Sequence, residues 1–254
     1  MEFAEVKDFL EEKVIKYNQP SFIENDPISI PHLFTKKEDI EIAGFLTATI
    51  AWGRRDLILK SANFLMQLLE HSPYEFLCES NKNDWDRFER FYYRTFSSVD
   101  CLYFIKALKA IYKDHNGLEG VFASHYQPGD IKPVIQYFRD VFLSFDPQQR
   151  THKHVANILK GASAKRINMY LRWMVRNDNC GVDFGLWNSI KTSDLILPLD
   201  LHTGNTSRKL GILQRKQNDI KAVDEVMTVL RQFDCNDPVK YDFALFGLGV
   251  EEKF

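Results

Sequence analysis

Residues 159–176 read Leu-Lys-Gly-Ala-Ser-Ala-Lys-Arg-Ile-Asn-Met-Tyr-Leu-Arg-Trp-Met-Val-Arg. Apolar side chains at Ile167, Tyr170, Leu171 and Met174 recur at three and four residues, the period of a helix with one buried face. Ahead of them Gly161 supplies a residue free to turn left-handed, and Ser163 is placed to cap the helix that follows. The stretch therefore predicts a helix, a tight turn and a second helix. Such a turn carries unpaired N–H groups at an electropositive helix end, where a phosphate can sit.

The same period runs outward along the chain. It marks 39–51 and 56–70, joined by Trp52-Gly53-Arg54-Arg55, and then 101–113, 131–144 and 219–233. Turn pairs separate them at Ser72-Pro73, Asn116-Gly117, Pro128-Gly129, Asp146-Pro147 and Asp237-Pro238. Residues 77–99, dense in charge and aromatics, read as a helix with a loop insertion. Only Leu195-Ile196-Leu197, before Pro198, suggests a short extended piece, so the expected class is all-α.

The 254 residues hold 33 Lys+Arg against 35 Asp+Glu, with no internal repeat and no low-complexity tract, which fits one or two globular domains. Charges break every apolar run well short of the roughly 18 residues that a membrane span needs. The opening MEFAEVKDFLEEK is acidic where a secretory signal is basic and then apolar, so a cytoplasmic protein is expected. Cys78, Cys101, Cys180 and Cys235 contain no CxxC pair; they read as reduced, mostly packed thiols, with no metal site and no iron–sulfur cluster. Charge is uneven. Between Asp146 and Asp178 no acidic residue occurs, while Arg150, Lys153, Lys160, Lys165, Arg166, Arg172 and Arg176 do, which reads as a basic face.

The hairpin Leu159-Lys160-Gly161-Ala162-Ser163-Ala164-Lys165 resembles that of the helix-hairpin-helix DNA glycosylases, the superfamily of endonuclease III and the oxoguanine glycosylases. A second segment, Leu197-Pro198-Leu199-Asp200-Leu201-His202 with Arg208-Lys209-Leu210-Gly211 after it, resembles the same superfamily's approach to its catalytic aspartate. KRINMYLRWMVR together with GVDFGLW is similar to an uncharacterised bacterial branch, the long interval between the two motifs is shared with an archaeal oxoguanine branch, and 242–249 resembles the last helix of the class. In outline the resemblance covers about 40–254. It implies a two-lobed helical bundle with a cleft between lobes, one domain at 40–177 with the hairpin and a second formed by 1–39 plus 178–254 with the aspartate.

What the resemblance implies for function is base-excision DNA repair by a monomeric DNA glycosylase with AP lyase activity. The substrate would be double-stranded DNA containing a damaged base or an abasic site. Lys165 would be the nucleophile at C1′ of a flipped nucleotide and Asp200 the carboxylate that stabilises the sugar cation. Lysine is normally charged at neutral pH, with a pKa near 10.4. A helix start and the cations Lys160, Arg166 and Arg172 disfavour a further charge on Lys165 and so favour the free amine. Lys160, Gly161, Ala162, Ser163, Ala164 and Arg166 would hold phosphate, as would Arg54 and Arg55, with Trp52 as wedge or pocket wall and His202 beside the aspartate. No cofactor is implied beyond, at most, a monovalent cation on the hairpin carbonyls. The alternatives are a non-catalytic helix-hairpin-helix DNA-binding protein and, further off, a helical scaffold.

Overall fold

The computed structural model describes residues 2–145 and 150–254, so the Asp146-Pro147 turn lies outside the described residues. The chain forms helices α1 (Phe3–Tyr17), α2 (Lys37–Ile50), α3 (Arg55–Leu68), α4 (Pro73–Glu79), α5 (Ser98–Asp114), α6 (Gly117–His125), α7 (Lys132–Leu143), α8 (Lys165–Val175), α9 (Leu201–Lys209), α10 (Ile220–Phe233) and α11 (Tyr241–Val250). Short 3₁₀ turns fill many of the connections. Among the described residues there is no β-strand, only the isolated bridges Tyr93–Phe96 and Ala162–Asp219, and the fold is all-helical as the periodicity predicts. Leu195, Ile196 and Leu197 are buried without pairing into a strand. Residues 77–99 end α4 and continue as a 3₁₀ segment at Lys82–Arg90 rather than as one interrupted helix. No helix among the described residues is long and apolar enough to cross a membrane.

Two compact units emerge. One comprises Met1–Glu24, Gln127–Lys132 and Asn157–Phe254, the other Asn25–Tyr126 and Pro133–Ala156. Where the sequence reading divided the chain into 40–177 and 1–39 plus 178–254, these units group the hairpin and α8 with the C-terminal residues. In the second unit α2 is buried along nearly its whole length, which its apolar run from Ile40 to Ile50 allows. Phe45 from α2 meets Phe104 of α5 and Phe138 and Phe142 of α7 at ring separations of 5.8, 5.4 and 5.3 Å. That aromatic cluster is the centre of its core.

In the first unit α11 is the central element, with α1 and α9 packed on it. Val6, Leu10, Val14 and Tyr17 form the buried stripe of α1. Gly247 brings α11 against α1 so closely that a Cβ there would run into the Tyr17 ring, whose hydroxyl donates to Glu252 Oε1 at 2.6 Å. All four cysteines are free; Cys101 is packed, whereas Cys78, Cys180 and Cys235 are exposed, contrary to the expectation of mostly packed thiols. Gly247→Ala is expected to lower the stability of the protein by about 1–3 kcal/mol in urea unfolding, since the Tyr17 ring has to move to admit a methyl group.

Candidate functional site

The hairpin is built by one side chain and two left-handed residues. Asn157 Oδ1 accepts from Lys160 N at 3.0 Å and starts a single 3₁₀ turn at Ile158–Lys160, which Gly161, at φ +90°, ends at once. The element before the turn is thus a 3₁₀ turn and not the helix that the sequence suggests. Ile220 N donates to Gly161 O at 3.1 Å and Ala162 bridges Asp219, so the turn is tied to the start of α10. Asp219 is itself clasped by Arg215 through two contacts of 2.6 and 2.5 Å. Ser163 is not the helix cap. Ala164, left-handed at φ 52°, holds that position without a side-chain bond, while Ser163 Oγ lies 3.5 Å from Leu199 O. An alanine held left-handed costs roughly 1 kcal/mol, and here it lets α8 begin at Lys165.

Asp200 caps α9. Its Oδ1 accepts from His202 N at 2.8 Å and Thr203 N at 3.0 Å, and Thr203 Oγ1 accepts from Asp200 N at 2.8 Å. Asn218 Nδ2 donates to Asp200 O at 2.8 Å, and the preceding Leu195, Ile196, Leu197 and Leu199 are buried. This double anchoring fixes one carboxylate oxygen and leaves Oδ2 facing Lys165 Nζ at 3.7 Å, with side-chain exposures of 20% and 27%. The amine and the carboxylate are therefore both reachable from solvent and both held by the first turn of a helix.

Behind the pair lies an ionic network. Arg172 reaches Asp183 at 3.2 Å and Asp242; Arg176 reaches Asp183 at 3.1 Å, Asp237 at 2.9 Å and Asp178 at 2.6 Å. Both arginines are buried, so they do not form part of a basic face. Arg150 is likewise engaged, with Asp100 and with Ser97 Oγ at 2.8 Å. Burial lowers the Arg166 guanidinium to about 10, and Arg150, Lys153 and Lys160 are the exposed cations of the run. Arg172, paired with two carboxylates, is also no bare positive charge acting on Lys165.

The 177–193 interval serves this network. Phe184 N and Trp187 N donate to the Trp173 and Met174 carbonyls, which closes the end of α8, and Val182 and Trp187 are buried. Burial pushes the Asp183 carboxyl up against the opposing pull of Arg172 and Arg176. Burial also opposes the charge of Arg176, but Asp183, Asp237 and Asp178 outweigh it and hold that guanidinium above its usual range. Asp242, at the start of α11, is raised to about 7, first by burial; Asp200 and Asp183 add to the rise while Arg172 and Lys165 oppose it. Asp242 is the site residue that sequence reasoning passed over, because it was read only as part of a terminal helix.

Of the remaining candidates, Trp52, Arg54 and Arg55 lie in the other unit and His202 in the first. Trp52 is half-buried, its carbonyl accepting from Tyr93 Oη at 2.5 Å and its ring 5.3 Å from Tyr93 and 6.2 Å from His154. Arg54 pairs with Asp56 at 2.6 Å on the surface, and Arg55 opens α3. His202 is exposed, its ring edge-on to Phe246 at 6.3 Å. Among the described residues no group of three or more His, Cys, Asp or Glu is arranged to hold a metal ion.

The model of a family described as "Protein of unknown function (DUF2400)" matches residues 26–251, nearly the whole chain. The chain belongs to the DUF2400 family. No curated protein and no solved structure matches it. The assignment to the helix-hairpin-helix glycosylase superfamily is thereby overturned: it rested on two short motifs, and the match that spans the chain is to DUF2400 instead. In this DUF2400 member the hairpin also departs locally from the expected form, with a 3₁₀ turn before Gly161 and alanine at the cap.

Two measurements test the site's physical description. Asp200→Ala should cost about 0.5–2 kcal/mol through loss of the cap, whereas Asp200→Asn, which keeps an acceptor oxygen, and Lys165→Ala should each change stability by less than about 0.5 kcal/mol. The second is pH dependence. Asp242 keeps its proton up to about 7 in the folded protein, whereas an unfolded aspartate releases it near 3.9. The stability held in that proton is complete below about pH 4 and is lost as pH rises to about 7. The wild-type melting temperature should therefore fall relative to that of Asp242→Asn between about pH 4 and 7, and parallel curves across that range would contradict the assignment.

Proposed function

We propose that this protein is a base-excision DNA glycosylase with AP lyase activity that acts in the cytoplasm on duplex DNA bearing a damaged base or an abasic site. One observation carries the reading: an amine and a carboxylate, each positioned by the start of its own helix, lie 3.7 Å apart and open to solvent. A lysine amine beside a carboxylate suits attack on a sugar C1′. The bond from C1′ to the base breaks, and positive charge builds on the sugar, where Asp200 stabilises it. Lys165 Nζ, as the neutral amine, bonds to C1′ and gives up one proton; the C1′–O4′ bond then opens, O4′ takes up a proton as a hydroxyl, and the C1′=N Schiff base remains. Removal of a C2′ proton then expels the 3′ phosphate by β-elimination. Lys160, exposed at the turn, and the positive end of the α8 dipole supply the attraction for a phosphate backbone.

Borohydride trapping on abasic and oxidised-base duplexes is the direct test. A covalent protein–DNA species is expected with the wild-type chain, absent with Lys165→Gln and reduced about 100-fold with Asp200→Asn. No covalent species on any duplex would overturn the proposal. Salt-sensitive binding that persists in Lys165→Gln, again without a covalent product, would assign the chain to DNA binding without chemistry.

A further inference from the structure

A cleft of about 440 Å³ opens between α9, α11 and the residues that follow α11. α9 lines it with His202, Asn205, Thr206 and Lys209, which are three and four residues apart and so share one helix face. Arg208 flanks that face, Gly249 comes from α11, and Lys253 and Phe254 come from the segment beyond it. Three cations line the cleft and, among the described residues, no carboxylate does. Glu252, next to Lys253, is taken up by Lys13, Lys16 and Tyr17, while Glu251 is exposed and lies outside the lining. Asp200 is likewise engaged, as the cap of α9.

Arg208 is held in place by neutral groups. Its Nε donates to Arg215 O at 2.8 Å and its Nη2 to Lys216 O at 2.9 Å and Asn218 Oδ1 at 2.6 Å, while Nη1 has one long contact, 3.4 Å to Asn205 Oδ1. The guanidinium is thus fixed with its charge unanswered by an acid. Thr206 is fully buried, yet its Oγ1 has no hydrogen-bond partner, whereas Ser207 Oγ returns a bond to Thr203 O at 2.7 Å. A buried hydroxyl without a bond is costly, and this one stands beside Gly249, where a Cβ would come within 3.0 Å of it. Arg208 and Lys209 complement the negative end of the α9 dipole, but that does not account for Lys253. The chain brings Lys253 here through a left-handed residue, at φ 52°, with Phe254 N bonded to Leu248 O at 3.0 Å and the Phe254 ring 5.8 Å from Lys209 Nζ. We propose that this cleft binds a ligand with two adjoining phosphates, either a pyrophosphate group or consecutive phosphates of a nucleic-acid strand. The Arg208 fork suits phosphate oxygens, Lys209 and Lys253 add point charges, and the volume has room for more than one phosphate. The site is defined by these residues alone and does not depend on the lyase reading.

The test is isothermal titration calorimetry of the full chain with inorganic pyrophosphate and, separately, with an undamaged DNA duplex, at low salt where phosphate contacts are strongest. The double variant Lys209→Ala/Lys253→Ala removes two exposed cations of the cleft, and Lys60→Ala/Lys113→Ala removes two exposed lysines of the other unit as a charge-matched control. Binding by the wild-type chain should weaken about 10-fold in the cleft variant and stay unchanged in the control. If pyrophosphate binding is what weakens, the ligand is a free phosphate compound; if only duplex binding exists and weakens, it is a nucleic-acid strand. Absence of binding of either probe to the wild-type chain overturns the proposal, as does binding that is unaltered in the cleft variant or reduced equally in the control. A chain that binds pyrophosphate here but gives no borohydride-trapped DNA would sink the lyase reading and leave this site standing.

Discussion

Two guanidinium groups buried on one helix govern the first unit. Taking Arg172 and Arg176 out of water is costly unless carboxylates meet them with good geometry, and removing one partner of such a set leaves an uncompensated charge. The partners come from three places: the loop after α8, the turn before α11 and α11 itself. Each of these segments is consequently fixed relative to α8. The arginines also stand over Phe243, at 4.3 and 5.4 Å from its ring centre, so the charged layer and the apolar core are one packing problem.

That arrangement explains what the sequence revealed and what it concealed. The apolar stripe of α8 and the amphipathic stripes of α2, α3, α5, α7 and α10 were legible because their burial is written in local spacing. The burial of Arg172 and Arg176 was not, since apart from Asp178 their partners stand 7, 11, 61 and 70 residues away and a run of basic residues reads locally as a solvated face. α1 was overlooked for a related reason: its Glu and Lys content drew the reading toward targeting signals, although Val6, Leu10, Val14 and Tyr17 keep helical spacing.

The candidate site was legible in part. The juxtaposition of Lys165 with Asp200, 35 positions apart, came through a resemblance of motifs, and the two residues do meet although the family behind that resemblance is not the one the chain belongs to. A dozen residues around a turn or a cap are shaped by local chemistry that unrelated chains can share, whereas a family match reflects most of the molecule. The cap of α8 was misread for a reason of scale. A serine one position from the helix start looks like a cap until backbone dihedrals show that Ala164 occupies the place.

The starts of α8 and α9 differ in a way that bears on what each can receive. Asp200 closes α9 with its own carboxylate, which takes up the N–H groups of His202 and Thr203. Ala164 brings neither hydroxyl nor carboxylate to α8, and the positive pole there is not quenched by a resident side chain from the cap. One entrance is sealed from within and the other is not, although the amine and the carboxylate that mark them lie 3.7 Å apart.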